Sequence, residues 1–182
     1  MSWPRLGQTL NHWLHEQPVA VTILIAGGGD LADAVRESAQ HYSLSDEEAH
    51  WQCIEAMTAN SLSLAKLLGE VICVATWSDL LRVIEGSPTV PILFDSHQFL
   101  RDVEPRLPGR VLPHDWSVTS DSIAARLAEV MGAEELVLLK SADVPSTEAP
   151  LLAKLQYLDR FFPKFEDCRF RRRFVNLRGI FP

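Results

Sequence analysis

Residues 19–26 read VAVTILIA, an almost unbroken apolar and β-branched run, and three glycines follow it directly. This pairing constrains the fold more than any other stretch of the chain. A strand without polar alternation has to be covered on both faces, as strands are inside a parallel sheet flanked by helices. Gly27-Gly28-Gly29 then makes a tight exit, and Asp30-Leu-Ala-Asp-Ala-Val-Arg36 opens a helix. Strand, glycine turn and helix start bring backbone N–H groups and the positive end of a helix dipole to one place. Such a place suits a phosphate or a carboxylate. It equally suits a tight turn that holds nothing.

The same alternation continues along the chain. A short amphipathic helix is expected over 5–16, with Leu6, Leu10, Trp13 and Leu14 on one face. Ser45, with Glu48 three residues on, opens a helical pattern that runs to about Leu68 and breaks near Asn60-Ser61. Strands are expected at 71–75, 90–94, 136–140 and 172–177, with helices at 77–85, 118–131 and 149–162. Residues 101–115, rich in Pro, Arg and Asp, read as a loop, and Gly132 stops the helix before it. The expectation is an α/β fold: a three-layer α/β/α sandwich with a mainly parallel sheet, in one domain spanning 1–182.

Charge narrows the partners. Lys and Arg number 17 against 24 Asp and Glu, a net charge of −7. General nucleic-acid binding needs clustered cations, so it is not expected. The local exception, Arg169, Arg171, Arg172 and Arg173, reads as a solvated face or the outward side of an edge strand. The three cysteines, Cys53, Cys73 and Cys168, are widely spaced and form no Cys-x-x-Cys, so buried reduced thiols are expected rather than disulfides or a zinc site. No signal-like or membrane-spanning apolar stretch is seen, and a cytoplasmic protein is expected.

Ligands of open α/β sheets sit beyond the carboxyl ends of the strands. Four stretches fall there. The first is the glycine turn. Its spacing is not GxGxxG and no Gly-Lys-Ser/Thr follows, which argues against a dinucleotide fingerprint, a Rossmann oxidoreductase and a Walker loop. The second is Ser117 to Ser122, where Ser120 and Asp121 serve either as helix caps or as groups that orient cations at a phosphate. Asp33 and Asp115 are further carboxylates for a cation, on weak grounds. The third is Lys140-Ser141-Ala142-Asp143. Only four lysines occur in the chain, so one at the end of an apolar strand stands out, although it also fits a lysine simply leaving the core. The fourth is Pro113-His114-Asp115-Trp116, which could line a pocket; without a GxSxG elbow no hydrolase triad follows from it.

Four segments, ILIAGGGDLADAVRE, LSDEEAHWQCIEAM, DWSVTSDSIAARLAEVMGAEELVLLKSADV and YLDRFFPKF, together resemble the amino acid kinase family of acetylglutamate, uridylate and aspartate kinases. They run in the family's order over most of residues 20–165. The resemblance is greatest to the aminomethyl-furan phosphate kinase branch, associated with tetrahydromethanopterin and methanofuran one-carbon metabolism. It implies an acetylglutamate/carbamate kinase-like fold and transfer of a phosphoryl group from ATP, with Mg²⁺, to a small-molecule acceptor. It places Gly27, Gly28 and Gly29 at the acceptor and the transferring phosphoryl group, and Arg36 and His50 on the acceptor wall. Asp121 corresponds to the aspartate that organises the catalytic cations. Ser120, Lys140, Ser141 and Asp143 fall on the nucleotide side, Lys140 with a catalytic role as well. A homo-oligomer is a further implication.

The chain departs from the pattern at one point. Family members open with a strand ending in Lys-x-Gly-Gly-Ser, whose lysine meets the ATP phosphates. Here Met1-Ser-Trp-Pro stands at about the end of that strand, and no lysine precedes Lys66. Absence of the strand would expose a sheet edge. Two functions follow: an ATP-dependent kinase for a small metabolite, or a catalytically degenerate binder of a small anion or nucleotide on the same fold.

Overall fold

The computed structural model describes residues 3–180. The chain divides into two compact units, 1–107 and 108–182, each with its own apolar core.

In the first unit, α1 (Leu6–His15) packs Leu10 and Trp13 inward against α3 (Asp46–Leu68). Gly7 permits the approach, since a Cβ there would stand 2.9 Å from the Cβ of Leu67. The Asn11 amide donates to the Leu67 carbonyl at 3.1 Å. Three short strands follow the expected positions: β1 (Ile23–Leu24), β2 (Ile72–Val74) and β3 (Ile92–Phe94), with α2 (Gly29–Tyr42) and α4 (Trp77–Glu85) between them. All pairings are parallel, in the order β1-β3-β2. The middle strand is the one buried at every residue, as an apolar run covered on both faces should be. The run 19–26 is laddered over only two residues, Ile23 and Leu24; Val19, beyond the ladder, is 90% exposed. Part of 101–115 is helical: a five-residue π-helical turn, Phe99–Val103, leads into a 3₁₀ turn, Glu104–Arg106.

α3 is unbroken through Asn60-Ser61, against the expected interruption. Asparagine disfavours helix interiors when its side chain competes for nearby backbone groups. Here the Asn60 amide is used elsewhere, on the glycine turn. The start of α3 is as read: Ser45 Oγ accepts from the Glu48 N–H at 3.2 Å, and Glu48 Oε2 accepts from the Ser45 N–H at 2.8 Å. The Ser45 hydroxyl, which donates to Glu48 Oε2 at 2.7 Å, and then the Ser45 N–H hold the Glu48 carboxyl below its usual range.

In the second unit, α5 (Ser120–Met131) ends at Gly132 in the left-handed conformation and leads into β4 (Glu135–Lys140). β5 (Arg171–Asn176) pairs with β4 in parallel, Glu135 opposite Arg171 and Lys140 opposite Asn176. Arg171 and Arg173, on the same face, both donate to the Glu135 carboxylate. Half of the arginine cluster is thus tied to an acid on the neighbouring strand. The expected helix over 149–162 stops early: α6 is Ala149–Lys154. Gln156 takes a positive φ of 57°, and the Asp159 carboxylate captures the N–H groups of Phe161 and Phe162. Leu152, Leu158, Phe162 and Phe165 are buried with Ile123 and Leu127 in the core of this unit.

Asp159, only 8% exposed, ties this unit together. It accepts from the Thr119 N–H and Oγ1 (2.8 and 3.0 Å) and from the Ser122 N–H and Oγ (2.9 and 2.5 Å), besides the two phenylalanine amides. A residue 37 to 40 positions away therefore satisfies N–H groups that a helix start leaves open. The cysteines depart from expectation: Cys73 is exposed, and Cys53 and Cys168 are half-buried. All are free thiols. No helix among the described residues is long and apolar enough to cross a membrane.

Two stability measurements check these contacts. Ser45→Ala removes half of a capping box and should lower the unfolding free energy by about 1 kcal/mol. Asp159→Asn places amide hydrogens against donors and should cost roughly 2–3 kcal/mol. Urea unfolding of the three proteins reads both, and a near-neutral Asp159→Asn would contradict the role given to this carboxylate.

Candidate functional site

The glycine turn leaves the carboxyl end of β1 and starts α2. Gly28 is in the right-handed helical region (φ −70°, ψ −28°) and Gly29 has φ +50°. This right-then-left sequence points successive backbone N–H groups to one side, the concavity in which anions are held. Gly28 is also sterically required. A Cβ on Gly28 would stand 2.5 Å from the Cβ of Ala32. Gly27 and Gly29 are exposed, so the turn is accessible.

Behind the turn lies Asn60. Its Nδ2 donates to the Gly27 carbonyl at 2.8 Å and the Gly28 carbonyl at 2.7 Å. The register Leu24↔Leu93 puts Asp95 and Ser96, which follow β3, level with 26 and 27 at the same end of the sheet. Asp95 accepts from Thr58 Oγ1 (2.9 Å) and from the His97 N–H (3.0 Å), which fixes the next turn. His97 and His50 both stand edge-on to Trp51, with ring centroids 5.9 and 5.5 Å away, and the Arg101 guanidinium lies 4.7 Å over the same ring. His50 is buried on α3, and Arg36 is exposed on α2, paired with Asp33. The two residues expected on an acceptor wall thus lie on neighbouring helices of the first unit.

The remaining expected residues belong to the second unit. Lys140, the last residue of β4, donates to both carboxylate oxygens of Asp121 at 2.8 and 2.6 Å. Asp121 lies in the first turn of α5, and its N–H is capped by Thr119 Oγ1. Burial pushes the Asp121 carboxyl up from its usual range. The Lys140 charge and hydrogen bond pull it down, and the charge of Asp159 adds to the rise. Burial wins. The Lys140 ammonium also sits 5.3 Å over the Tyr157 ring, and burial raises that phenol as well. Asp143 accepts from Asn176 at the end of β5, which pins the loop after β4. Ser141 is exposed and Ser120 half-buried beside this pair. Asp33 and Asp115 gather no cation site: Asp33 pairs with Arg36, and Asp115 accepts from the Ser117 N–H. Among the described residues no group of three or more His, Cys, Asp or Glu could hold a metal ion. A cavity of about 450 Å³ lies at the other end of α5, lined by Arg110, Glu129, Asp167, Cys168 and Arg169. None of the expected residues lines it, and Arg110 is already neutralised by Glu129 and Asp167.

Reading the sequence missed Asn60, Thr58, Asp95, His97, Arg101 and Asp159. A signal existed for one of them. The buried stripe of α3 runs through Met57, Asn60, Ser61, Leu64 and Leu68, so Asn60 occupies a core position of an apolar helix face.

The Asp121–Lys140 pair generates a signed prediction. A carboxyl with a higher pKa folded than unfolded binds its proton more tightly in the folded state. Its contribution to stability therefore falls as pH rises from the ordinary aspartate value through the raised one. Asp121→Asn should flatten that part of the pH–stability curve. Lys140→Met, which removes the opposing cation, should move the Asp121 midpoint higher still in a carboxyl-carbon NMR titration. It should also cost roughly 3 kcal/mol at neutral pH, where a buried carboxylate loses its partner. An unmoved midpoint would show the two groups to be uncoupled.

No protein-family profile matches the chain. It is 26% identical over 121 residues to the (5-(aminomethyl)furan-3-yl)methyl phosphate kinase of Methanocaldococcus jannaschii, a stretch covering 66% of this chain and 52% of that protein. The chain thus spans about half the length of this curated relative. Its fold is similar to that of a uridylate kinase from Archaeoglobus fulgidus, with a TM-score of 0.59 and 16% identity over 93% of this chain and 80% of the other. The parallel ladders and alternating helices described above are the α/β fold of that kinase. The sequence match and the shared fold together relate the chain to the amino acid kinase family.

Proposed function

We propose that this protein is a kinase-type phosphotransferase that moves a phosphoryl group from ATP to a small metabolite. The observation that carries the proposal is the Asp121–Lys140 pair. A lysine at the carboxyl end of a parallel strand, clamped by both oxygens of a buried carboxylate, is a charge that folding alone does not require. It stands where ligands of α/β sheets bind.

On this reading the Lys140 ammonium meets the nucleotide phosphates and Asp121 holds it in place. Ser120, Ser141 and Asp143 supply further polar contacts on the nucleotide side. Gly27, Gly28 and Gly29 offer their N–H groups to the phosphoryl or acceptor anion, with Arg36 and His50 beside the acceptor. A bound Mg²⁺–nucleotide supplies the transferable phosphoryl group and neutralises its charge. A magnesium ion would arrive on the phosphates, since Mg²⁺ usually takes one or two carboxylates plus phosphate and water, and among the described residues no group of three or more His, Cys, Asp or Glu could cage it. Most of what such chemistry asks of a protein is positioning and electrostatics.

The curated relative is named for a substrate that carries both an amine and a phosphate. That supports a small phosphate- or amine-bearing acceptor here; one-carbon cofactor biosynthesis is the setting that the resemblance of the sequence implies. We read 1–182 as one kinase-like domain of a cytoplasmic protein that associates with itself. The alternative is a binder of nucleotide or small anion on the same fold, without transfer.

Thermal unfolding with millimolar Mg²⁺–ATP or Mg²⁺–ADP tests nucleotide binding. Ligand at about 100 times its Kd stabilises by about 2.7 kcal/mol, a rise of roughly 5–10 °C for a chain of this size. Lys140→Met should abolish the rise, and Lys154→Met should keep it. No shift with either nucleotide overturns the kinase reading and leaves only a binder of small anions. ADP release with amine- or phosphate-bearing acceptors, followed by phosphorus NMR, separates the kinase from the binder.

A further inference from the structure

We infer that Asn60 is the positioning residue of the glycine cradle: it sets which way the peptides of Gly27 and Gly28 face, and so whether the turn presents donors or acceptors to an anion. The inference rests on the reading of residues 27–29 as the place where an anion is held.

Asn60 is 4% exposed and lies on α3 among apolar neighbours such as Met57 and Leu64. Burying an amide there costs free energy unless its hydrogens are used, and leucine would suit both the helix and the packing better. Both Nδ2 hydrogens are used, one on the Gly27 carbonyl and one on the Gly28 carbonyl. A trans peptide is planar, with its C=O and the following N–H on opposite sides. Fixing the carbonyls of 27 and 28 toward Asn60 therefore turns the N–H groups of Gly28 and Gly29 the other way, out of the turn.

Without that anchor the turn is easy to invert. Glycine accepts either sign of φ at little cost, so a peptide between glycines can flip. A flip replaces an outward donor with an outward carbonyl oxygen, which repels a phosphate. The Ala32 N–H, 3.1 Å from the Gly28 carbonyl, resists one flip, but nothing described besides Asn60 holds the Gly27 carbonyl. Asn60 thus acts through the backbone of other residues. It touches no ligand itself.

The test uses the full chain and inorganic phosphate as the probe, titrated by NMR on the Gly28 and Gly29 amides well below the melting temperature. In the wild type, phosphate should shift both amides. Asn60→Leu, nearly isosteric and without a donor, should weaken phosphate about tenfold, the worth of one charge-assisted hydrogen bond. Its free-state Gly28 and Gly29 signals should broaden or divide as the peptides exchange. Asn60→Gln, the same amide on a longer arm, should recover part of the affinity. If Asn60→Leu does not fold, Asn60→Ser, whose shorter donor cannot span both carbonyls, serves in its place with the same expectation. Gly29→Ala, at a positive φ, damages the cradle directly and is the reference for lost binding. Wild-type binding that is lost in Gly29→Ala but unchanged in Asn60→Leu or Asn60→Ser would overturn the role of Asn60 and leave the cradle standing. A merely structural Asn60 gives that same result, with a lowered melting temperature. No phosphate binding in the wild type would remove the cradle itself, and this inference with it.

Discussion

Six donors converge on the carboxylate of Asp159, and the order of the second unit follows from them. A helix start leaves four N–H groups without partners. α5 has Thr119 as its own cap, but the Thr119 oxygen reaches Asp121 only at 3.4 Å. The stronger acceptor comes from the chain after α6. By binding the N–H groups on both sides of the first turn, Asp159 fixes where α5 begins, and that fixes Asp121. Asp121 in turn holds Lys140 as it leaves β4. The same carboxylate claims the amides of Phe161 and Phe162, which ends the helical course of 149–162 and turns Phe162 into the core. A candidate catalytic pair thus depends on an acid that belongs to neither of its elements.

The first unit solves a similar problem with the opposite polarity. There the groups needing control are carbonyls, and the controlling group is the amide of Asn60. Both devices bury a polar side chain at a cost and recover it through several hydrogen bonds at once. Asn60 acts at the carboxyl end of β1, where the sheet can no longer satisfy the backbone and the chain must turn, and Asp159 acts at the start of α5. Thr58, one helical turn before Ser61 on α3, does the same for the turn after β3 through Asp95. A single long helix therefore steadies the exits of two strands that are neighbours in the sheet, β1 and β3, and its polar residues mark the places.

What was legible in the sequence was local. The glycine turn, the Ser45–Glu48 box, the stop at Gly132 and the apolar strands all follow from neighbours within a few residues, where steric and hydrogen-bonding rules leave a pattern. Lys140 stood out by its place at the end of an apolar strand and Asp121 by its place at a helix start, and the structure brings them into contact. What was not legible acts over distance. Asn60 bonds to residues 32 and 33 positions away, and Asp159 to residues 37 and 40 away. Such bonds impose no period and no spacing. The misreadings have this origin: Asn60-Ser61 looked like a break because its distant partner was invisible, and 149–162 looked wholly helical because nothing local announced Asp159.

Net charge is a poor guide to anion binding in this chain, and the reason is physical. With 24 acids against 17 bases the protein repels anions at long range. Several of its cations are committed to acids: Arg110 to Glu129 and Asp167, Arg171 and Arg173 to Glu135, Lys140 to Asp121. The glycine turn needs none of them. Its donors are backbone N–H groups, whose partial charge is fixed by peptide geometry and does not titrate or reach far. Salt screens long-range repulsion within about 10 Å at 0.1 M, so a cradle of oriented amides still acts at contact distance. Orientation then decides the outcome, since a peptide that donates in one pose accepts in the other. The side chain that controls orientation is worth as much to such a site as a lysine would be to a site built on charge.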